Sequence, residues 1–114
     1  MPPFVFANRR FNNPVELALH VLGGKWKMPI VWRLRDRVWR YHELWRDLPR
    51  ITHKMLAQQL RELEGAGLLV RRELSAQPRR VEYEITELGT SAIPAIEALR
   101  AWGDHYRRRR QARS

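Results

Sequence analysis

Residues Ile51 to Arg72 read Ile-Thr-His-Lys-Met-Leu-Ala-Gln-Gln-Leu-Arg-Glu-Leu-Glu-Gly-Ala-Gly-Leu-Leu-Val-Arg-Arg. Thr52 has a hydroxyl that can accept a free backbone N–H and so fits an N-cap. Leu56, Leu60 and Leu63 then recur at four and three residues, which is one apolar face of an α-helix. His53, Lys54, Ala57, Gln58 and Arg61 fall on the opposite face. Cations, an amide and a small residue permitting close approach are the groups that read base edges and phosphates in a major groove. Ala66-Gly67 supplies the stop, with glycine free to take the left-handed position beyond a helix end. Leu68 to Leu74 follows as a short strand. A helix, a tight stop and a strand suggest a winged helix.

Upstream, Tyr41 to Leu48 predicts a two-turn helix with Tyr41, Leu44, Trp45 and Leu48 on one side, and Pro49 cannot continue it. Pro49-Arg50-Ile51 is the turn. A short helix, a three-residue turn and a longer helix with a polar outer face form a helix-turn-helix, with the longer helix as reader. Downstream, Leu68, Val70 and Leu74 alternate with polar residues, Ser75 to Arg79 makes a turn, and Val81, Tyr83 and Ile85 alternate again. This predicts a β-hairpin with Arg79 and Arg80 near its tip.

Asn13-Pro14 opens a first helix that Gly23-Gly24 ends, and Lys25 to Pro29 starts a second, with Pro29 tolerated in the first turn. Before them, residues 1–12 have no helical or alternating period and read as an arm, whose Phe4, Phe6 and Phe11 invite packing on a neighbour. Thr86 fits the N-cap of a final helix carrying Leu88, Ala92, Ile96, Leu99, Trp102 and Tyr106, and Pro94 predicts a break between about Thr90 and Ile93. Residues 107–114 read as a basic tail, leaving 13–106 as the folded domain.

With 114 residues and 44% hydrophobic residues, one domain with one core is expected. Twenty-two Lys and Arg against 12 Asp and Glu give a net charge of +10, so a polyanion is the natural counterpart. Nearly all these cations are arginine, whose planar fork suits phosphate and guanine. No basic segment followed by a long apolar run opens the chain, and Met28 to Trp32 is too short to span a bilayer. A cytoplasmic protein without a membrane partner is expected. There is no cysteine, so thiol nucleophiles, cysteine zinc sites and disulfides have no residue to form from. His20, His42, His53 and His105 are too scattered for a metal motif, and no nucleophile elbow or phosphate-binding glycine loop occurs. No enzyme activity, cofactor or metal is expected.

Asn13-Pro14 with Gly23-Gly24-Lys25-Trp26, Tyr41 to Leu44, Leu48 to Thr52, Leu60 to Leu68 and Val81 to Gly89 occur here in an order and spacing that together resemble the HxlR-type family of small bacterial transcription regulators, relatives of the MarR-like winged helix proteins. The resemblance spans about residues 13 to 103. It implies a mainly α fold with a small β-hairpin wing (α+β), a winged helix-turn-helix forming a dimer through terminal helices. It also implies a homodimer on a pseudo-palindromic operator in double-stranded DNA, one reader helix and one wing to each half-site. Where family members commonly carry a sensing cysteine, this chain has Asn13, so thiol redox sensing does not transfer. Where the family often has glycine, this chain has Arg37 and Arg50, and a positive φ at either would be costly.

The expected DNA-binding residues are therefore Arg50, Thr52, His53, Lys54, Gln58, Arg61, Arg79 and Arg80, with Arg71 and Arg72 sent to opposite faces of their strand. The expected dimer surface is Phe4, Phe6, Phe11, Ile96, Leu99, Trp102 and Tyr106. Trp26, Trp32 and Trp45 read as core, while Trp39 falls in a loop. Related folds bind aromatic effectors between subunits, but no residue here identifies a small-molecule effector. Two other readings compete: a winged helix serving protein interaction, its charge keeping it soluble, and non-specific nucleic-acid binding driven by Arg107 to Arg110.

Overall fold

In the computed structural model, residues 2–76 and 78–112 are described. Met1 of the expected arm, Gln77 of the expected turn, and Arg113 and Ser114 of the expected tail lie outside them. The chain opens with a small antiparallel hairpin, β1 (Phe4–Phe6) and β2 (Arg9–Phe11). Its turn residues Ala7 and Asn8 both take positive φ, at 50° and 62°. Two consecutive left-handed residues match the right-handed twist of paired strands. The residues expected as an arm pair here as a hairpin that the sequence did not announce: three residues a side are too few for alternation to register, and alanine is not a residue that marks such a turn.

Helix α1 (Pro14–Leu22) begins where Asn13 Oδ1 accepts the Glu16 N–H at 3.0 Å and Pro14 occupies a position that needs no donor. Helix α2 (Lys27–Arg33) keeps Pro29 in its first turn. The two-residue strand β3 (Trp39–Arg40) leads directly into α3 (Tyr41–Asp47), and Glu43 reaches back to accept the Arg40 N–H at 2.8 Å. Helix α4 (His53–Gly65) is capped by Thr52, whose Oγ1 accepts the Met55 N–H at 3.1 Å. It ends where Gly67 takes φ 84°, as the Ala66-Gly67 stop requires.

Strands β4 (Leu69–Ala76) and β5 (Arg79–Ile85) form the long hairpin, and β3 adds to the free side of β5, giving the order β3-β5-β4. Trp39, expected in a loop, instead pairs with Tyr83 across β3 and β5. A register shift between Glu73 and Ser75 leaves Leu74 outside the pairing and exposed. Thr86 caps α5 (Glu87–Ser91), and α6 (Ile93–Gln111) restarts with Pro94 in its first turn. The break thus falls at Ala92, in the predicted interval. Helix α6 runs on through Arg107 to Arg110, so these residues are helical, held in part by Asp104, which pairs with Arg107 and, at 3.1 Å, with Arg108.

One core joins these elements. Ile30, Val31 and Leu34 of the α2 region meet Leu44 and Leu48 from α3 and its end. Ile51, Leu56, Leu60 and Leu63 add the inner face of α4, and Leu68, Leu69, Tyr83 and Ile96 close it against the sheet and α6. The leucine stripe that defined α4 in the sequence is therefore its anchor. Gly89 is needed where α5 crosses the sheet base: a Cβ there would lie 2.3 Å from the Leu68 carbonyl oxygen. Trp26 is buried as expected, but Trp32 is half-buried and Trp45 is 36% exposed. Trp45 is corrected from core to surface: helical spacing placed it beside Leu44, yet Leu44 and Leu48, with Tyr41 packed against them, make up the inward side of α3.

Candidate nucleic-acid interface

With its leucines turned inward, α4 leaves Lys54, Gln58 and Arg61 on the exposed side, and Ala57 half-buried beside them. Lys54 and Arg61 make no ion pair with any described residue, and neither does Arg50. Gln58 is engaged on its own helix, its Nε2 donating to Glu62 at 3.1 Å. Glu62 in turn holds Lys27 Nζ at 2.7 Å, and these contacts, the lysine's foremost, keep its carboxyl below the usual range. The dipole of the Gln58 amide is thus aimed before any ligand arrives.

Two of the expected contact residues are occupied by local structure. The Thr52 hydroxyl oxygen accepts the Met55 N–H in its own cap, which fixes its place at the helix start. The His53 imidazole is stacked on Trp45, with ring centroids 4.3 Å apart and planes 9° from parallel. Arg50 has φ 68°, the left-handed backbone that arginine adopts only at a cost of about 1–2 kcal/mol. Arg37 is not among the positive-φ residues. Of the two positions where the family often has glycine, the one in the helix-turn-helix turn is left-handed.

A groove of about 1040 Å³ opens between α4 and the long hairpin. Arg61 and Ala57 form one wall and Arg71, Arg79, Arg80 and Tyr83 the other, while Arg40, Tyr41 and His42 close one end. Five arginines line it against one carboxylate, Glu64. Helix α4 and the long hairpin are brought together along this groove. Arg40, Tyr41 and His42 were not singled out from sequence as contact residues. The sequence carried no signal for them, because β3 is only two residues long and too short for alternation to show.

The wing cations are poised by local acids. Glu73 lies 3.1 Å from Arg79 and 3.7 Å from Arg71, and Glu82 lies 3.4 Å from Arg80 and 4.0 Å from Arg40. The more exposed Glu73 pairs are worth about 0–1 kcal/mol, so a phosphate can compete for Arg79 and Arg71 at little cost, whereas Glu82 is the less exposed acid. Arg72 turns to the other face of the sheet and pairs with Glu84 at 3.3 Å. Burial pushes the Tyr83 hydroxyl above its ordinary pKa, with the neighbouring Arg71 working the other way. Tyr83 therefore remains a neutral donor at the groove floor.

Away from the groove lies a second surface. Leu99, Trp102 and Tyr106 are each more than half exposed on one side of α6, and Phe6 is exposed on the first hairpin. Phe11 and Ile96, also expected at a subunit contact, are only 1% and 2% exposed. Phe11 is covered by Phe4, His20 and Arg9. Ile96 belongs to the core. Both offer little surface to a second chain. Helix α1 has no buried residue at all, and its Val15 and Leu19, one turn apart, are exposed.

Residues 21–111 match the family described as HxlR-like helix-turn-helix. An uncharacterized HTH-type transcriptional regulator of Methanothermobacter thermautotrophicus is 46% identical over 92 residues, covering 81% of this chain and 70% of that protein. The uncharacterized HTH-type transcriptional regulator YdzF of Bacillus subtilis is 46% identical over 91 residues, covering 79% of this chain and 84% of its own. Among solved structures, the redox regulator HypR in its reduced form superposes with a TM-score of 0.82 at 38% identity, covering 88% of this chain and 99% of that one. No described helix is long and apolar enough to cross a membrane. With the helix-turn-helix, the hairpin wing and these relatives in agreement, the chain belongs to the HxlR-like helix-turn-helix family of transcriptional regulators, with a MarR-like winged helix fold.

Proposed function

We propose that this regulator reads a specific sequence in double-stranded DNA as a homodimer, each protomer taking one half of a pseudo-palindromic operator. The single observation that carries the reading is the groove between α4 and the wing, lined by five arginines, four of them paired with Glu73 or Glu82 at its margin and Arg61 unpaired among the described residues. Lys54, Gln58 and Arg61 project into the major groove, Gln58 toward adenine or another paired donor and acceptor, Arg61 toward guanine. Arg50, Arg79 and Arg80 take phosphates or the adjacent minor groove, with Arg40 and Arg71 beside them. Thr52 fixes the N-terminus of the reader helix, and its backbone N–H groups favour a phosphate there.

The homodimer reading is supported by the exposed apolar surface: Val15 and Leu19 on α1, Phe6 on the hairpin, and Leu99, Trp102 and Tyr106 on α6. Apolar surface of this kind marks an interaction site. Response to a thiol oxidant is excluded from the proposal because none of the 114 residues is cysteine, although HypR is named a redox regulator. The protein acts by binding, without catalysis, in the cytoplasm.

Selection of bound sequences from random duplexes, followed by footprinting, tests this. The expected result is an enriched pair of inverted half-sites whose centres lie about 10 base pairs apart or a multiple of it. A selected pool with no enriched sequence contradicts it.

A further inference from the structure

The outer rim of the joint between α3 and α4 is held by three rings. Inside the joint, Leu44, Leu48, Ile51 and Leu56 are buried in the core and fix where the two helices cross. Outside it, the His53 imidazole lies flat on the Trp45 indole, at 4.3 Å and 9°, while Tyr41 flanks it with centroids 5.8 Å apart and planes 15° from parallel. The Tyr41 hydroxyl sits 3.0 Å from His53 Nδ1 and 3.3 Å from the His53 carbonyl oxygen. The imidazole is thus fixed twice, once through its face and once through its edge. His53 is the first residue of α4. In helix-turn-helix proteins the N-terminal residues of the reader helix are the ones that reach base edges.

We propose that Trp45 is a positioning residue for sequence recognition: its ring sets the orientation of His53, and through it the first turn of α4, while touching no base itself. Trp45 is partly exposed and absent from the buried core cluster, so its removal takes no side chain out of that core. A large ring left at the surface and stacked in parallel on the first residue of the reader helix has its effect on that residue. Fixing a contact group before binding removes an entropy cost that would otherwise fall on the specific complex. A random duplex, held mainly through phosphates, gains little from such order. Trp45 therefore contributes to discrimination and little to general affinity.

This inference rests on the proposed reading of duplex DNA, and the test separates the two. Affinities for a selected operator and for a random duplex are measured by fluorescence anisotropy at one salt concentration for the parent, Trp45→Ala, Trp45→Phe, His53→Ala and the Trp45→Ala/His53→Ala double variant. Expected for Trp45→Ala is about a tenfold fall in the ratio of operator to random affinity. Random-duplex affinity should hold within about twofold. Trp45→Phe, which keeps a stacked ring, restores most of the ratio. The double variant loses no more than the larger single loss, since Trp45 acts through His53. An unchanged ratio in Trp45→Ala overturns the inference alone, as do losses that multiply in the double variant. A parent with no preference for any selected duplex overturns the underlying reading as well. Should Trp45→Ala not fold, the comparison of Trp45→Phe with His53→Ala remains: a ratio unchanged in His53→Ala overturns the inference.

Discussion

Arg50 holds a left-handed backbone, φ 68°, two residues before Thr52 turns its hydroxyl onto the Met55 N–H. The strained residue and the cap together set the direction in which the reader helix leaves the turn. Glycine at position 50 would remove the steric cost but also free the unfolded chain, so the two effects partly cancel. Arg50→Gly is expected to raise stability by about 0.5 kcal/mol while weakening operator binding. Each protomer would then neutralise one phosphate fewer, and the slope of log affinity against log salt should become shallower by about 2 for the dimer. Urea melts and salt-titrated anisotropy check both. A more stable variant that binds as tightly as the parent would show that Arg50 does not touch a phosphate.

Thr52→Ala removes the acceptor for the Met55 N–H and is expected to cost about 1 kcal/mol, with Thr52→Ser close to the parent. Because the missing bond is at the N-terminus of the reader helix, amide exchange at Met55 should accelerate more than at Leu63. Uniform acceleration along α4 would indicate global loss in place of local fraying.

At Gly89, an added Cβ would lie 2.3 Å from the Leu68 carbonyl oxygen and 2.7 Å from Ile85 Cγ1. The first of these is backbone and cannot swing away. Gly89→Ala should therefore cost about 2 kcal/mol by forcing α5 off the sheet. The urea midpoint reports it, and a midpoint equal to the parent's would show that α5 shifts freely.

Glu62 ties α2 to α4 through Lys27, and this pairing lowers its carboxyl pKa in the folded state. A lowered folded-state value contributes stability that is complete above the unfolded value, ordinarily 4.5, and is lost as pH falls through the folded value. Glu62→Gln is expected to be less stable than the parent at neutral pH by about 1 kcal/mol, the upper end for a surface pair, because the Lys27 side chain is largely buried while Glu62 is partly exposed. The difference should shrink toward zero on the acid side of the carboxyl range. Urea midpoints at neutral and strongly acid pH measure it, and a difference that grows on acidification would contradict the assignment.

Much of this was legible in the residues. Leu56, Leu60 and Leu63 fix which side of α4 is buried, and with it the exposure of Lys54 and Arg61. Asn13, Thr52 and Thr86 identify three helix starts because their side-chain oxygens need only the local backbone. Pro94 locates the break before α6 for an equally local reason. What escaped depends on distant partners. Trp45 has the spacing of a core residue, and only the crossing of α3 over α4 puts it on His53. Trp39 has too short a strand to show a period, and its pairing with Tyr83 spans a long stretch of the chain. The first hairpin is likewise too short to declare itself. In the candidate interface, α4 and the wing were legible as separate parts, whereas the place of Arg40 and His42 at the end of their groove was set by the β3 pairing.

The most direct test of DNA recognition by this groove is the salt dependence of affinity for a selected operator, measured by fluorescence anisotropy on the parent and on Arg61→Ala. For a dimer neutralising roughly eight phosphates, log affinity should fall against log salt with a slope of about −7. Arg61→Ala should also lose about 1–3 kcal/mol of preference for operator over random duplex. A slope near zero, with Arg61→Ala indistinguishable from the parent on both duplexes, would contradict it.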